Sequence, residues 1–318
     1  MIISPNRGSD NTVILIAMNK EAQGFNGSAS FAVASKVKDY FQLIKFTLSF
    51  MVVFSCVVCY LLAPNIKFDL ASVLLLFTAG MLITGSANAI NQAVEKDTDA
   101  VMKRTSTRPV AAGRMKANEA YTFAIITGAI GVIIMWYWFN FTSAMIGLFS
   151  LFLYAFIYTP LKKINSVSVL VGAFPGALPC LIGWVAATDI FSAGGWVLFG
   201  IQFLWQFPHF WAIAWVAHKD YSKAGFKLLP SDKGPTKFTA AQTIIYSMLM
   251  IPVGILPYYY KISGITSLWI VLVCNLWMVF VSVMLFIKMD VGAARKVMFS
   301  SYFYLMIVLL ALLFDKVH

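Results

Sequence analysis

Asn88-Ala89-Ile90-Asn91-Gln92-Ala93-Val94-Glu95-Lys96-Asp97-Thr98-Asp99 closes the apolar run that begins near residue 69, and it passes directly into Lys103-Arg104-Thr105-Ser106-Thr107-Arg108-Pro109. A hydrocarbon core of about 30 Å needs about 20 such residues in one helix. This run is long enough, yet it ends in amides and carboxylates instead of a plain polar loop. Asn91, Glu95 and Asp99 recur every four residues, so on a continuing helix they form a slowly rotating row of oxygen donors along one face. Amides at Asn88 and Asn91 are costly at membrane depth, where a polar side chain defaults to a functional reading.

The remainder of the chain agrees with a membrane-spanning fold. Of 318 residues, 60% are hydrophobic and only 12% are charged, against roughly 25% charged in a soluble globular chain. Apolar stretches long enough to span a bilayer fall at 41–63, 69–93, 118–138, 141–159, 166–187, 194–217, 239–259, 264–287 and 297–314. The expected fold is an all-α integral membrane protein of nine transmembrane helices around a central cavity that opens laterally to lipid. Residues 1–40, rich in Ser, Asn, Gly and Lys, read as a mobile cytoplasmic tail and not a cleaved signal, because Val13–Met18 is too short for a signal core. Residues 41–318 form the transmembrane domain.

A net charge of +11 would suggest nucleic acid in a soluble protein, but here the charges sit in short segments between spans. With the N-terminus in the cytoplasm, all but three of the 24 Lys and Arg (Lys67, Lys261 and Lys316) fall on the cytoplasmic side. The positive-inside rule therefore places the N-terminus in the cytoplasm and, after nine spans, the C-terminus outside. No nucleic-acid partner is expected. Cys56, Cys59, Cys180 and Cys274 lie in apolar runs and read as buried thiols, not as a disulfide or metal set. The loops after the second and sixth spans are long and polar while the external connections are short, which points function to those two loops.

The row Asn91, Glu95, Asp99 suits Mg²⁺, which takes one or two protein carboxylates and keeps waters and phosphate oxygens in its shell. Lys103, Arg104 and Arg108 follow at once and could hold the remaining charge of a diphosphate. Asp99 is expected at a solvent-accessible helix end. In the sixth span, Gln202, Gln206 and His209 share a helical face at spacings of four and three, and Asp220 lies at the cytoplasmic end. Around them Trp205, Phe207, Phe210, Trp211 and Trp215 suit packing or lipid contact. Tyr158-Thr159-Pro160-Leu161-Lys162-Lys163 reads alone as a helix stop and interfacial anchor. Gly172 to Pro179 implies a kinked, small-residue fifth span that neighbours can approach closely.

Taken together these strings resemble the UbiA-type intramembrane prenyltransferases, whose first signature is similar to Asn91–Pro109. Within that family they are most similar to the branch that prenylates haem. Supporting strings are Tyr158–Lys163, Gly172–Gly176, Pro208-His209-Phe210-Trp211, Lys219-Asp220-Tyr221 and Ala224-Gly225, which run in the family's order from about residue 80 to 235. Glu95 stands where the family usually shows Asp. The second aspartate-rich motif of the quinone-ring members is reduced to Asp220, with Lys223 and Lys227 where further acids would fall. The first-span entrance Leu43-Ile44-Lys45-Phe46-Thr47 departs from that branch's Lys-Pro-Arg pattern, so Lys45 receives no role.

The resemblance implies an Mg²⁺-dependent transfer of farnesyl from farnesyl diphosphate to the 2-vinyl group of haem b, with water addition, giving haem O. In that reading Asn91, Glu95, Asp99 and Asp220 are the catalytic metal ligands, and Lys103, Arg104, Arg108 and Lys162 hold diphosphate. His209, Gln206 and Gln202 face haem. It also implies a multi-pass location in a bacterial cytoplasmic membrane, with a haem A synthase or oxidase assembly factors as partners. Two other readings stay open: prenylation of a quinone-precursor ring, and transport of a small molecule along the intramembrane polar residues.

Overall fold

The computed structural model describes residues 35–231 and 233–317, all helical apart from turns, short loops and one isolated bridge between Ser263 and Lys316. Most of the expected tail, residues 1–34, lies outside the described residues. A first helix, α1 (Ser35–Leu43), bends by 50° into α2 (Phe46–Leu62). The chain continues through α3 (Leu70–Val94), α4 (Lys96–Val101), α5 (Ala117–Trp138), α6 (Phe141–Phe152), a π-helical turn at Leu153–Tyr158, and α7 (Thr159–Leu161). Then follow α8 (Ser168–Thr188), α9 (Ala193–Val216), α10 (His218–Lys223), α11 (Lys237–Tyr259), α12 (Ile265–Lys288) and α13 (Val291–Phe314).

Eight described helices are long and apolar enough to cross a bilayer, and the bent α1–α2 pair makes nine. The expected spans match to within a few residues except at two places. The first span is broken after Leu43, and α13 begins six residues before the expected 297. Lys296 and Arg295 lie inside that last helix because its N-cap is Asp290, whose carboxylate accepts from the Ala293 amide at 2.6 Å. The same capping logic starts α3 at Asp69, which accepts from Ser72 N at 2.9 Å, and α6 at Asn140, which accepts from Ser143 N at 2.7 Å.

Each spanning helix packs on the next, and α13 returns to α2, so the nine close into a ring. α8 and α9 are its most enclosed members, with 72% and 67% of their apolar windows buried against 22–39% elsewhere. Composition explains the difference. A Cβ on Gly183 would run into the Cys56 carbonyl of α2, so only glycine allows this approach of α8 to α2. Pro175 and Pro179 remove two backbone donors from α8. The carbonyl of Pro175, which loses its partner at Pro179, accepts from Ser150 of α6 at 3.3 Å. In lipid each unsatisfied backbone group costs several kcal/mol, so that hydroxyl satisfies a carbonyl that the prolines leave without its helical partner.

Two ends of the bundle differ. At one, Lys316 donates to the carbonyls of Leu61 and Ala63, and Asp315 accepts from Ser267 N, which ties the last residues to α2 and α12. At the other lie the bend after α1, the segment from α3 to α5, the α7–α8 turn and the loop around α10. Among the described residues, most of the Lys and Arg side chains lie toward that end, with Lys67, Lys261 and Lys316 at the other.

Candidate active site

At the end of α3 the ladder of backbone hydrogen bonds runs on, with Glu95 N donating to Asn91 O at 2.9 Å and Asp99 N to Glu95 O at 2.7 Å. The three side chains therefore do lie along one continuing helical face, and all three are buried. The expectation of a solvent-accessible Asp99 is corrected: its carboxylate is 1% exposed. Arg108 covers it, one Nη1 donating to both oxygens at 2.8 and 2.7 Å, and Thr105 Oγ1 caps the Asp99 carbonyl at 3.0 Å.

Glu95 faces Lys162, whose Nζ stands 2.5 Å from Oε1. The pair is close but poorly directed, because buried Oε1 still accepts no well-oriented hydrogen bond. Burial pushes the Lys162 ammonium below its ordinary value, while the Glu95 carboxylate pulls it back. Tyr158 and Phe226 place their rings 4.9 and 5.3 Å from that ammonium.

The third member, Asn91, is held by two residues that sequence reasoning did not assign. Lys45 donates to its Oδ1 at 2.7 Å, and its Nδ2 donates to Thr159 Oγ1 at 3.2 Å. Lys45 reaches it from the bend between α1 and α2, where its own φ is +49°. Non-glycine residues seldom adopt that left-handed backbone, and α3 supplies the support. Gln92 Nε2 donates to the carbonyls of Gln42 and Leu43 at 2.8 and 2.9 Å, and Asn88 Nδ2 to that of Ile44 at 3.2 Å. The intramembrane amides thus satisfy the broken helix and aim Lys45. Thr159 also donates to the Tyr154 carbonyl within the π-turn at 2.8 Å, a kind of irregularity that recurs at functional sites.

Two loops close over this row. Arg104 donates to Tyr221 Oη at 3.2 Å with its guanidinium over the ring at 5.6 Å, and Lys227 N donates to the Lys162 carbonyl at 2.8 Å. Asp220 therefore rides on a short helix docked beside the cations. It is not gathered with the row: among the described residues no three His, Cys, Asp or Glu side chains form a metal-sized group. Lys103 is exposed beside Arg104 on the segment between α4 and α5.

The α9 residues divide between two neighbours. Gln202 and Gln206 turn toward α8, their amides donating to the carbonyls of Gly176 at 2.8 Å and Ala173 at 2.9 Å. His209 turns toward α13, its Nδ1 2.8 Å from Ser301 Oγ, with Trp205 stacked at 4.7 Å and Tyr302 edge-on at 5.0 Å. These contacts brace the centre of the ring, and the two glutamines spend their donors on backbone.

A bent first span, an acidic row at the end of the next and cations from three segments meet in one buried cluster of opposite charges. The UbiA prenyltransferase family model matches residues 52–308, and the chain belongs to that family. The protoheme IX farnesyltransferase of Cytophaga hutchinsonii is 42% identical over 286 residues, covering 90% of this chain and 100% of the relative. That of Flavobacterium psychrophilum is 40% identical and covers 89% and 96%. Among solved structures, one described for digeranylgeranylglyceryl phosphate synthase superposes with a TM-score of 0.73 at 22% identity, over 88% of this chain and 98% of that one. A UbiA homologue from Archaeoglobus fulgidus bound to GPP and Mg²⁺ gives 0.64 at 15%, over 86% and 99%. These two share the fold.

Proposed function

We propose that this chain transfers the farnesyl group of farnesyl diphosphate to the 2-vinyl group of haem b, with addition of water, giving haem O and diphosphate. The observation that carries the reading is the buried row Asn91, Glu95, Asp99, each member met by a cation from a different part of the chain: Lys45, Lys162 and Arg108. The name borne by full-length relatives at 40–42% identity supports haem as acceptor.

The donor set fits Mg²⁺: an amide oxygen, two carboxylates, and a buried Glu95 Oε1 without a well-directed donor. Asn91, Glu95 and Asp99 would hold the ion, and Asp220, on α10 beside the cations, is proposed as a further ligand although it stands outside the row in this structure. Bound there, it would neutralise diphosphate oxygens and improve the leaving group. Arg108 and Lys162 keep the row charge-balanced, and with Lys103 and Arg104 they supply the cations a leaving diphosphate needs.

In the transfer, the bond between the farnesyl carbon and the diphosphate oxygen breaks and its electron pair leaves with diphosphate. The vinyl π electrons form the new carbon–carbon bond, water adds to the carbon left deficient, and one proton is released. The chain needs no nucleophile for this, only charge placed against the leaving group and a site that orients two apolar substrates. His209 is the residue proposed to face haem, while Gln206 and Gln202, turned to α8, would act by bracing the helix that carries it. In the proposed orientation the cationic end faces the cytoplasm of a bacterial cytoplasmic membrane, with the N-terminus inside and the C-terminus outside, as the positive-inside rule favours. Release of haem O then serves haem–copper oxidase assembly.

Purified chain in proteoliposomes, given farnesyl diphosphate and Mg²⁺ with either haem b or a hydroxybenzoate, tests the reading. A hydroxyethylfarnesyl product from haem alone supports it. A prenylated hydroxybenzoate would redirect the chain to quinone precursors, and solute flux without any product would make it a transporter.

A further inference from the structure

On the outer side of the ring the last two helices part to leave a groove of about 890 Å³, whose lining shares no residue with the acidic row or the cations that meet it. Trp277, Phe280 and Met284 of α12 line one wall, and Phe299 and Phe303 of α13 the other. A hydrogen bond from Trp277 Nε1 to Ser300 Oγ at 2.9 Å ties the walls. Only one end is charged. There Lys288, the last residue of α12, and Lys296, in the second turn of α13, border the opening. Asp290 also borders it: its Oδ1 caps α13 by accepting from the Ala293 amide, and its negative charge leaves the opening with a net charge of one positive. Both lysines are exposed, and neither ammonium makes an ion pair or hydrogen bond among the described residues.

Dimensions and charge select one kind of occupant. From Lys288 to Val273, the deepest α12 residue of the groove, the helix rises about 22 Å at 1.5 Å per residue. Half a bilayer core is about 15 Å and one headgroup layer adds about 5–7 Å, so the groove spans a single leaflet. Its cations lie at headgroup depth and its aromatic walls at acyl depth. Lysine pairs between spanning helices at that depth are suited to anionic headgroups.

We infer that the α12–α13 groove is a binding site for an anionic phospholipid, with the phosphate between Lys288 and Lys296 and one acyl chain laid along Trp277, Phe280 and Phe303. The site is separate from the transfer site and does not depend on which acceptor that site uses. Prenyl diphosphate is the weaker candidate, because the groove offers two lysines and a single carboxylate, Asp290, that already caps α13 through one oxygen, where the acidic row offers two carboxylates and an amide.

The test uses the full chain in phosphatidylcholine nanodiscs carrying a few mole per cent of a lipid with a diazirine in its acyl chain, either phosphatidylglycerol or phosphatidylcholine. After illumination, adducts are mapped by peptide mass spectrometry. Labelling of residues 273–307 should be about 5- to 30-fold higher with phosphatidylglycerol, the range for one to two lysine contacts with an anionic headgroup. It should fall to the phosphatidylcholine level in the Lys288→Gln/Lys296→Gln variant, and below it in Lys288→Glu/Lys296→Glu, with thermal unfolding of both variants unchanged. Equal labelling by the two lipids, or a preference that survives both variants, would overturn the inference. So would loss of labelling on adding farnesyl diphosphate, which would assign the groove to the prenyl substrate, or protection accompanied by dimer cross-links, which would assign it to a second copy.

Discussion

Lys45 donates a 2.7 Å hydrogen bond to the amide oxygen of Asn91, joining the bend of the first span to the start of the acidic row 46 residues later. The contact requires Lys45 to hold φ at +49° while the carbonyls of Gln42, Leu43 and Ile44 are taken up by Gln92 and Asn88. Such a strained backbone residue, stabilised by its surroundings, fits a functional placement. Lys45→Met should leave Asn91 Oδ1 buried and unpaired, costing about 1–3 kcal/mol of stability. It should also lower kcat/KM about 10- to 100-fold, as loss of support around a metal site does. Parallel thermal unfolding and steady-state assays check both, and full activity in a destabilised variant would confine Lys45 to a structural role.

Asp99 and Arg108 form a second relationship that separates chemistry from folding. Asp99→Asn should reduce turnover by about 10²-fold or more, the scale for removing a group that stabilises transition-state charge. It should also destabilise the protein by up to about 3 kcal/mol, the lower end of the range for an uncompensated buried charge, because the Arg108 side chain keeps 19% exposure. Adding Arg108→Gln should restore stability without restoring activity. Recovery of turnover in that double variant would exclude Asp99 as a group that acts on substrate or metal.

Metal dependence is a third expectation. Turnover should cease under a strong chelator and return with Mg²⁺, and Glu95→Gln should raise the Mg²⁺ concentration needed for half-maximal rate, since it removes charge from one of two carboxylates in the row. Undiminished turnover in chelator would remove the metal from the account.

Much of this architecture is legible in residue order. Spans are long apolar runs, so hydropathy alone locates them, and the four-residue spacing of Asn91, Glu95 and Asp99 survives because the backbone ladder continues through them. The bend at Lys45 is not legible. It uses no Pro or Gly, and the amides that stabilise it lie more than 40 residues away along the chain. Burial of Asp99 is hidden for the same reason, since Arg108 appears in sequence only as a neighbouring cation. A shared face for Gln202, Gln206 and His209 followed from helical spacing, yet neighbours on two sides divide it: α8 carbonyls draw the glutamines while Ser301 draws the histidine. Tyr158–Lys163, which alone suggests a stop and anchor, supplies Thr159 to Asn91 and Lys162 to Glu95.

His209 carries a fourth expectation. His209→Ala should weaken haem binding more than farnesyl diphosphate binding, whereas Ser301→Ala, which removes the Nδ1 partner but keeps the imidazole, should affect both substrates little. Separate titrations on thermally intact variants decide. An unchanged haem affinity in His209→Ala rejects the haem role, and equal loss of both substrates identifies a packing histidine.

The central claim is that haem b receives the farnesyl group, and mass spectrometry of haem extracted from cells with and without this chain tests it most directly. Expression in a host that lacks haem O should produce haem of hydroxyethylfarnesyl mass, and the Asp99→Asn variant at equal abundance should produce little or none. Haem b alone in both extracts, with the chain intact in the membrane and farnesyl diphosphate present, would contradict the account.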